Sequence, residues 1–518
     1  MLRLLGSPRT LCDGRTRREF LRIGGLGALG LGLSDALRFW EARAEPAVKK
    51  AAGFGSAKSC ILLFPYGSPP QHETFDPKPD APAEIQGEMK AIRTAVPGLC
   101  ICDRLPNVAR VVDRVTVVRS MTHPYPEHGV AYAVSGIPTY TPDLETRPRD
   151  PRHWPFIGSV VDYLEEKRTG ERPLTLPSPP SLGGEGRVRG PAVPRNVGLP
   201  WLLNSKTDLN VSAGPYASFL GQNYDPVWTD YDGAGTHVTP HYTEGQKRDF
   251  KSPFGGVLAD GRFHLSSSMQ LPADVSTDRL DRRRSLLQQF DDQRRGLDAR
   301  DTFASFDRYQ QMAFSLVTTG RMRQALDVGR EPLAVRESYG MTLFGQGCLA
   351  ARRLVEAGCK FVTVFWDGYG QFSGCAWDTH AYHYPRLKEY LLPGFDLAYA
   401  GLIRDLEARG LLDETLVIWT SEHGRTPKID SKPKGAGRHH WSRAYSIALA
   451  GAGVPRGKIV GSTDKLGGDV RDTPISPKDI LATAFHLLGI DPRTTLTDPL
   501  GRPVPIAGSG EVRPELLS

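Results

Sequence analysis

A chain of 518 residues, 39% of them hydrophobic and 24% charged, has room for one large α/β domain with insertions or for two ordinary domains. The formal charge is +7, but the first 44 residues hold eight Arg against four Asp and Glu, which leaves about +3 for the rest. So mild an excess sets aside nucleic acid and acidic membrane surfaces as partners.

At the N-terminus, Thr16-Arg17-Arg18-Glu19-Phe20-Leu21-Arg22 matches a twin-arginine export signal. A mildly apolar Gly/Ala/Leu run from Ile23 to Leu33 follows it, and Ala42-Arg43-Ala44 offers a cleavage site. The run is shorter than the ~20 apolar residues a membrane span needs, and no other stretch is long enough. The expectation is a removable signal over 1–44, a linker over 45–58, the twin-arginine machinery as an export partner, and a periplasmic or otherwise exported product without a stable membrane span. That route carries folded proteins, so a metal would be loaded before export. Six Cys lie beyond the signal; they can pair or remain buried thiols, since Cys60 opens a strand and Cys348 falls in a helix.

The apolar run Cys60 to Phe64 reads as the first buried strand. Its loop continues through Ser68, Pro69, Pro70, Glu73, Thr74 and Asp76. Val115 to Arg119 is a second strand, and His123 and His128 follow in a polar, Pro-rich loop; they either extend a polar site or only hydrogen-bond substrate or the loop. Trp154 to Lys167 is helical. The Pro/Gly/Ser-rich tract 172–190 reads as a solvated insertion. From Leu199 to Asp274 the chain looks loop-rich, with Tyr216, Phe219, Tyr224, Trp228 and Tyr231 covering a sheet or rimming a sugar site. Thr277 to Val328 is helical, its Arg runs interleaved with acids as a salt-bridged outer face.

Phe344 to Ala357 predicts a helix that delivers the chain to strand Lys360 to Trp366, and the loop beyond carries Asp378, His380 and His383. A helix over Pro385 to Arg409 stops at Gly410. Strand Leu416 to Thr420 ends at Ser421, followed by Glu422, His423, Gly424 and Arg425. A Gly/Lys-rich loop returns to Arg438, His439, His440 and Trp441, before a strand over Ala444 to Leu449. Ser476, Pro477 and Asp479 cap a last helix. Alternating strands and helices predict an α/β fold with a mainly parallel central sheet and helices on both faces. The expected boundaries are one domain over 59–505, a loop-rich and helical insertion over 199–340, and a tail over 506–518.

In such folds ligands bind beyond the carboxyl ends of the strands, and carboxylate oxygen with imidazole nitrogen are ligands for Zn, Mn or Fe. Glu422-His423 by itself is equally a strand-end salt bridge. The order Asp-x-His, then Glu-His, then His resembles the alkaline phosphatase and sulfatase superfamily. Trp377 to His380 (WDTH), Leu411 to Pro427, Gly437 to Trp441 (GRHHW) and Glu73 to Glu88 are similar to an exported, sulfatase-like branch of unassigned function. The resemblance covers most of Ser59 to Pro505 and implies an alkaline-phosphatase-like fold with one or two divalent ions (Zn, Mn or Ca). Asp378, His380 and His440 would hold one position; Glu422 and His423, with Glu73 or Asp76, the other. Arg425 would hold a sulfate or phosphate oxyanion, or else close its loop as a salt bridge. The implied activity is hydrolysis of sulfate or phosphate esters on small molecules or polysaccharides. Relatives carry a Ser and an Asp in the loop after the first strand; here Pro70 and Glu73 fall in their place, leaving Ser68 and Thr74 as the hydroxyls. Without a nucleophile, attack falls to metal-activated water, or the chain is a non-catalytic binding or surface protein that kept the fold.

Overall fold

Strand β1 (Ser59–Pro65) lies inside a sheet of nine strands, and all seven of its residues are buried. It is apolar on both faces because both are covered: Ile61 and Leu63 enter one core, Cys60, Leu62 and Phe64 the other. This computed structural model describes residues 52–126, 128–136, 141–148, 150–169, 193–207, 213–239, 250–266, 320–370, 376–432 and 435–518. The export signal, the 172–190 tract and most of the helical pattern over 277–328 lie outside the described residues.

The remaining sheet strands are β2 (Val115–Met121), β3 (Asn196–Leu199), β4 (Val227–Asp232), β5 (Arg262–Leu265), β6 (Phe361–Trp366), β7 (Thr415–Trp419), β8 (Tyr445–Ala450) and β9 (Lys458–Val460). They stand in the order β9-β2-β8-β7-β1-β6-β3-β4-β5. The run from β7 to β4 is parallel. β8 is antiparallel to both β7 and β2, and β5 is antiparallel to β4. In register, Leu63 pairs with Trp419 on one side and Pro65 with Trp366 on the other. The carboxyl ends of β7, β1 and β6 therefore stop together. β2, two antiparallel steps from β7, ends on the same edge, with Met121 opposite Tyr445.

Helices cover both faces, as the alternation predicts. α1 (Ile157–Thr169) and α4 (Pro477–Leu487) contribute Ile157, Val160, Ile480 and Phe485 to the core that holds Leu62 and Phe64. α2 (Leu343–Glu356) and α3 (Leu392–Ala408) contribute Leu349, Leu354, Phe395 and Leu402 to the core that holds Ile61 and Leu63. α4 opens on a full capping box, Ser476 with Asp479.

Two expectations need correction. The stretch read as loops over 199–274 supplies β4 and β5. In β4 Val227, Thr229 and Tyr231 are buried on one face, while on the other Trp228 packs against the second core and Asp230 and Asp232 are progressively more exposed, a period of two obscured by its acids. The helical stretch expected over Pro385 to Arg409 is present, built as a short helix His383–Arg386, a π-turn Leu387–Leu391 and then α3. Residues 506–518 are not a loose tail, for Ile506, Ala507 and Leu516 are buried in the core. Cys60, Cys100, Cys102, Cys348 and Cys359 are free thiols. Among the described residues no helix is long and apolar enough to cross a membrane.

Candidate metal centre

Because β1, β2, β6 and β7 end on one edge, the loops behind them meet there. Two glycines permit the closest approaches. Gly67, at φ 99°, lies so near the Asp378 loop that a Cβ would come within 2.5 Å of Asp378 N. Gly437 leaves no room for a Cβ beside His380 O. A two-residue ribbon pairs Gly424–Arg425 with His440–Trp441 and sets Arg425 opposite His440.

Two groups of ligand atoms result, each within 4.8 Å: His128, Asp378, His380 and His440 in one, and His128, Glu422 and His423 in the other. In the first, Asp378 Oδ1 lies 3.0 Å from His380 Nε2 and 3.4 Å from His440 Nε2, while Oδ2 lies 3.5 Å from His128 Nε2. The other nitrogen of His128, Nδ1, lies 2.9 Å from Glu422 Oε1, so one imidazole spans the groups. Gly67 N donates to the same Glu422 oxygen at 2.8 Å.

Hydrogen-bond partners assign the tautomers. His423 Nδ1 is 2.8 Å from Gly424 O, which can only accept; Nδ1 therefore carries the hydrogen and Nε2 a lone pair. That Nε2 is buried and has no hydrogen-bond partner. His440 Nδ1 donates in the same way to Pro126 O at 3.1 Å, so the His440 Nε2 lone pair points at His380 Nε2, 3.0 Å away, and at Asp378. Acceptors converge with too few donors, which is the electrostatic form of a cation site. The residues fit a divalent ion with imidazole and carboxylate ligands.

The proton affinities agree. Burial pushes the Asp378 carboxyl up, but Arg425 and then His128, His380 and His440 hold it well below the usual range. Burial also raises Glu422, and His128 with Ser421 brings it down. Burial, with Arg425 and His440, drives His423 well below an ordinary imidazole, leaving it neutral. For His128 burial pulls down, but Asp378 and Glu422 outweigh it and lift it to about 10. So raised, an imidazolium at His128 balances the two carboxylates.

Several expected site residues do other work. Glu73 is in neither group. Fully buried, its Oε1 accepts from Arg438 Nη2 at 2.6 Å and Nε at 3.1 Å, and His383 Nε2 sits 3.3 Å from Oε2. Asp76 is likewise engaged with Lys78 at 3.0 Å, Arg119 at 3.6 Å and the Thr463 hydroxyl. The place assigned to an N-terminal acid beside Glu422 is held by His128. Arg425 is a buried salt bridge closing its loop: Nη2 contacts Asp378 Oδ1 at 2.5 Å, and Nε and Nη1 donate to Ser68 O and Arg438 O at 3.0 and 3.2 Å. Thr74 spends its hydroxyl on Pro70 O at 2.8 Å. Ser68 stays at the centre. It sits at φ 69°, unusual for a residue with a Cβ, and its Oγ accepts from His423 N at 3.3 Å beside Ser421 Oγ at 3.5 Å. His123 Nε2 bonds Glu422 O at 2.7 Å, and Trp441 Nε1 donates to Gly468 O at 2.7 Å, away from the ligands. His128 was legible only as one of two imidazoles beyond the end of β2; the strand order, which a sequence does not show, makes it a member of both groups.

The fold and site define a mainly parallel α/β protein with a histidine- and carboxylate-lined centre at the carboxyl edge of its sheet. The chain belongs to the family described as protein of unknown function (DUF1501), which it matches over residues 57–517. No curated protein matches it. Among solved structures it is similar to a sulfatase from Pseudoalteromonas sp., at 10% identity over 83% of this chain and 68% of that one, TM-score 0.32. It is also similar to a lipoteichoic acid synthase from Listeria monocytogenes, at 10% identity over 85% and 74%, TM-score 0.31. A phosphonate monoester hydrolase from Silicibacter pomeroyi is similar at 11% identity over 84% and 74%, TM-score 0.27. Likeness at this level assigns no function.

Proposed function

We propose that this chain is a metal-dependent hydrolase of sulfate or phosphate esters, exported by the twin-arginine route. One observation carries the reading: the partnerless His423 Nε2 and the converging acceptors of Asp378, His380 and His440 sit at the carboxyl edge of a parallel sheet. Asp378, His380 and His440 would hold one ion and Glu422 and His423 a second, with the single lone pair of a neutral His128 completing one of the two. The imidazole-rich set suits Zn or Mn better than Ca, which prefers six to eight oxygens. The chemistry a divalent ion supplies when bound is polarisation of an ester oxygen and acidification of water.

The residues around it divide the remaining tasks. Asp378 and Glu422 stay ionised and set the charge of the centre. Arg425 holds Asp378 Oδ1 in place and is not free to clamp a substrate oxyanion. Substrate approaches by way of His380 and His440, whose side chains are 38% and 23% exposed. Ser68, against His423 N, is supported as the attacking hydroxyl over Thr74, which is tied into its own loop. The complete burial of Ser68 favours a second reading, a non-catalytic binding protein with the same metal centre.

Metal analysis of protein purified without chelator, beside a His423→Ala/His440→Ala variant, tests the centre; equal metal in both overturns it. A panel of sulfate and phosphate esters with Zn or Mn separates the two readings, since turnover lost in His440→Ala supports the hydrolase and no turnover with metal bound supports the binding protein.

A further inference from the structure

Outside the two ligand groups, one chain of side chains leads from solvent to His380. The ribbon Asp430–Lys432 pairs with Gly435–Gly437, so Asp430 lies opposite Gly437, just before Arg438 and His439. Asp430 Oδ2 is 3.0 Å from His439 Nε2, and His439 Nδ1 is 2.8 Å from His380 Nδ1. A carboxylate only accepts, so His439 Nε2 carries the hydrogen and its Nδ1 is a lone pair. The facing His380 Nδ1 must then be the donor. On the far side of the ring His380 Nε2 faces one donor, Arg425 Nη1 at 3.4 Å, and two acceptors, Asp378 Oδ1 and the His440 Nε2 lone pair, each at 3.0 Å, so a lone pair there joins a set of acceptors that a cation would satisfy.

We propose that His439 and Asp430 are positioning residues that fix His380 as its Nδ1–H tautomer, presenting the Nε2 lone pair to the pocket formed by Asp378 and His440. The inference rests on the metal-centre reading for its purpose but not for its geometry. Ligating imidazoles are commonly oriented by a partner on their other nitrogen, and loss of such a partner weakens metal binding by about 10- to 100-fold. Two links acting in series have one common effect, so removing both does no more than removing either.

Nitrogen-15 spectra of histidine-labelled metal-free protein, with His380 assigned from a His380→Gln variant, report the tautomer directly. The expected result is Nδ1–H in the wild type and a mixture of tautomers in His439→Phe. Calorimetric titration with zinc is expected to show about 10- to 100-fold weaker binding in His439→Phe and in Asp430→Ala, with the double variant no worse than the singles. Asp430→Ala, at a partly exposed ribbon position, guards against a folding defect in His439→Phe. An Nε2–H tautomer in the wild type, or zinc affinity unchanged in both single variants, overturns the inference. If the wild type binds no zinc yet shows the Nδ1–H tautomer that His439→Phe disturbs, the proposed function falls and the positioning role stands.

Discussion

Replacing Glu73 with Gln separates a metal ligand from a buried structural anchor. Both Glu73 and Arg438 are fully buried, and Glu73 Oε1 takes two Arg438 hydrogen bonds, at 2.6 and 3.1 Å. The amide keeps the shape and one acceptor oxygen but removes the only negative charge on Arg438, whose other partners are the neutral carbonyls of Ile85, Thr426 and Pro427. Breaking one side of a buried pair costs about 3–5 kcal/mol. Glu73→Gln should therefore lower the urea midpoint with an unchanged slope, while metal content at 25 °C matches the wild type. Exchanging both partners, as Glu73→Leu with Arg438→Met, should recover most of the loss. The sign with pH follows from the same contact. Burial pushes the Glu73 carboxyl up, but Arg438 and His383 more than reverse this and hold it below the ordinary carboxylate range. Its stabilisation is present above the unfolded value of about 4.3 and is lost as pH falls through the depressed folded value. The gap between wild type and Glu73→Gln should accordingly narrow in acid. An unchanged midpoint, or metal lost with stability intact, would refute the anchor assignment.

Three further outcomes are expected. Burial, then Arg438, lowers His72 to about 4; this imidazole stays neutral in the fold, so its contribution is whole above pH 6.5 and lost as pH falls from 6.5 towards 4. The loss is roughly 3 kcal/mol, and His72→Gln, which can still donate to Leu466 O, should flatten the stability profile in that window as measured by denaturant titration at stepped pH. Thr74→Val should cost about 1 kcal/mol for its bond to Pro70 O and leave any ester turnover unchanged, whereas Ser68→Ala should abolish turnover and keep the metal; the reverse pattern would move the attacking group to Thr74. A neutral His128 has a single lone pair and can ligate in only one of the two groups, so His128→Ala should weaken one zinc site in a calorimetric titration and leave the other nearer its wild-type affinity. Two sites of unaltered affinity would show that neither uses it.

The strands were legible because the central sheet is covered on both sides. Cys60 to Phe64 and Leu416 to Thr420 had to be continuously apolar, and no other element of that length reads the same way between turn signals. β4 was hidden by the same logic inverted: near the edge of the sheet one face carries Asp230 and Asp232, and beside those acids Trp228 and Tyr231 look like aromatics scattered in a loop. The ligand words were visible as words, yet their grouping depends on register, since only the common ending of β1, β6 and β7 brings Gly67, Asp378 and Glu422 together. What a linear chain hides most completely is which charges cancel. Arg425 finds Asp378 47 positions earlier, and Arg438 finds Glu73 across 365. An arginine beside a Glu-His pair and one beside a His-His pair look equally free to meet a substrate until those partners are known. Each is instead consumed by an acid from another loop, which leaves Asp378 ionised for the centre and removes Glu73 from it.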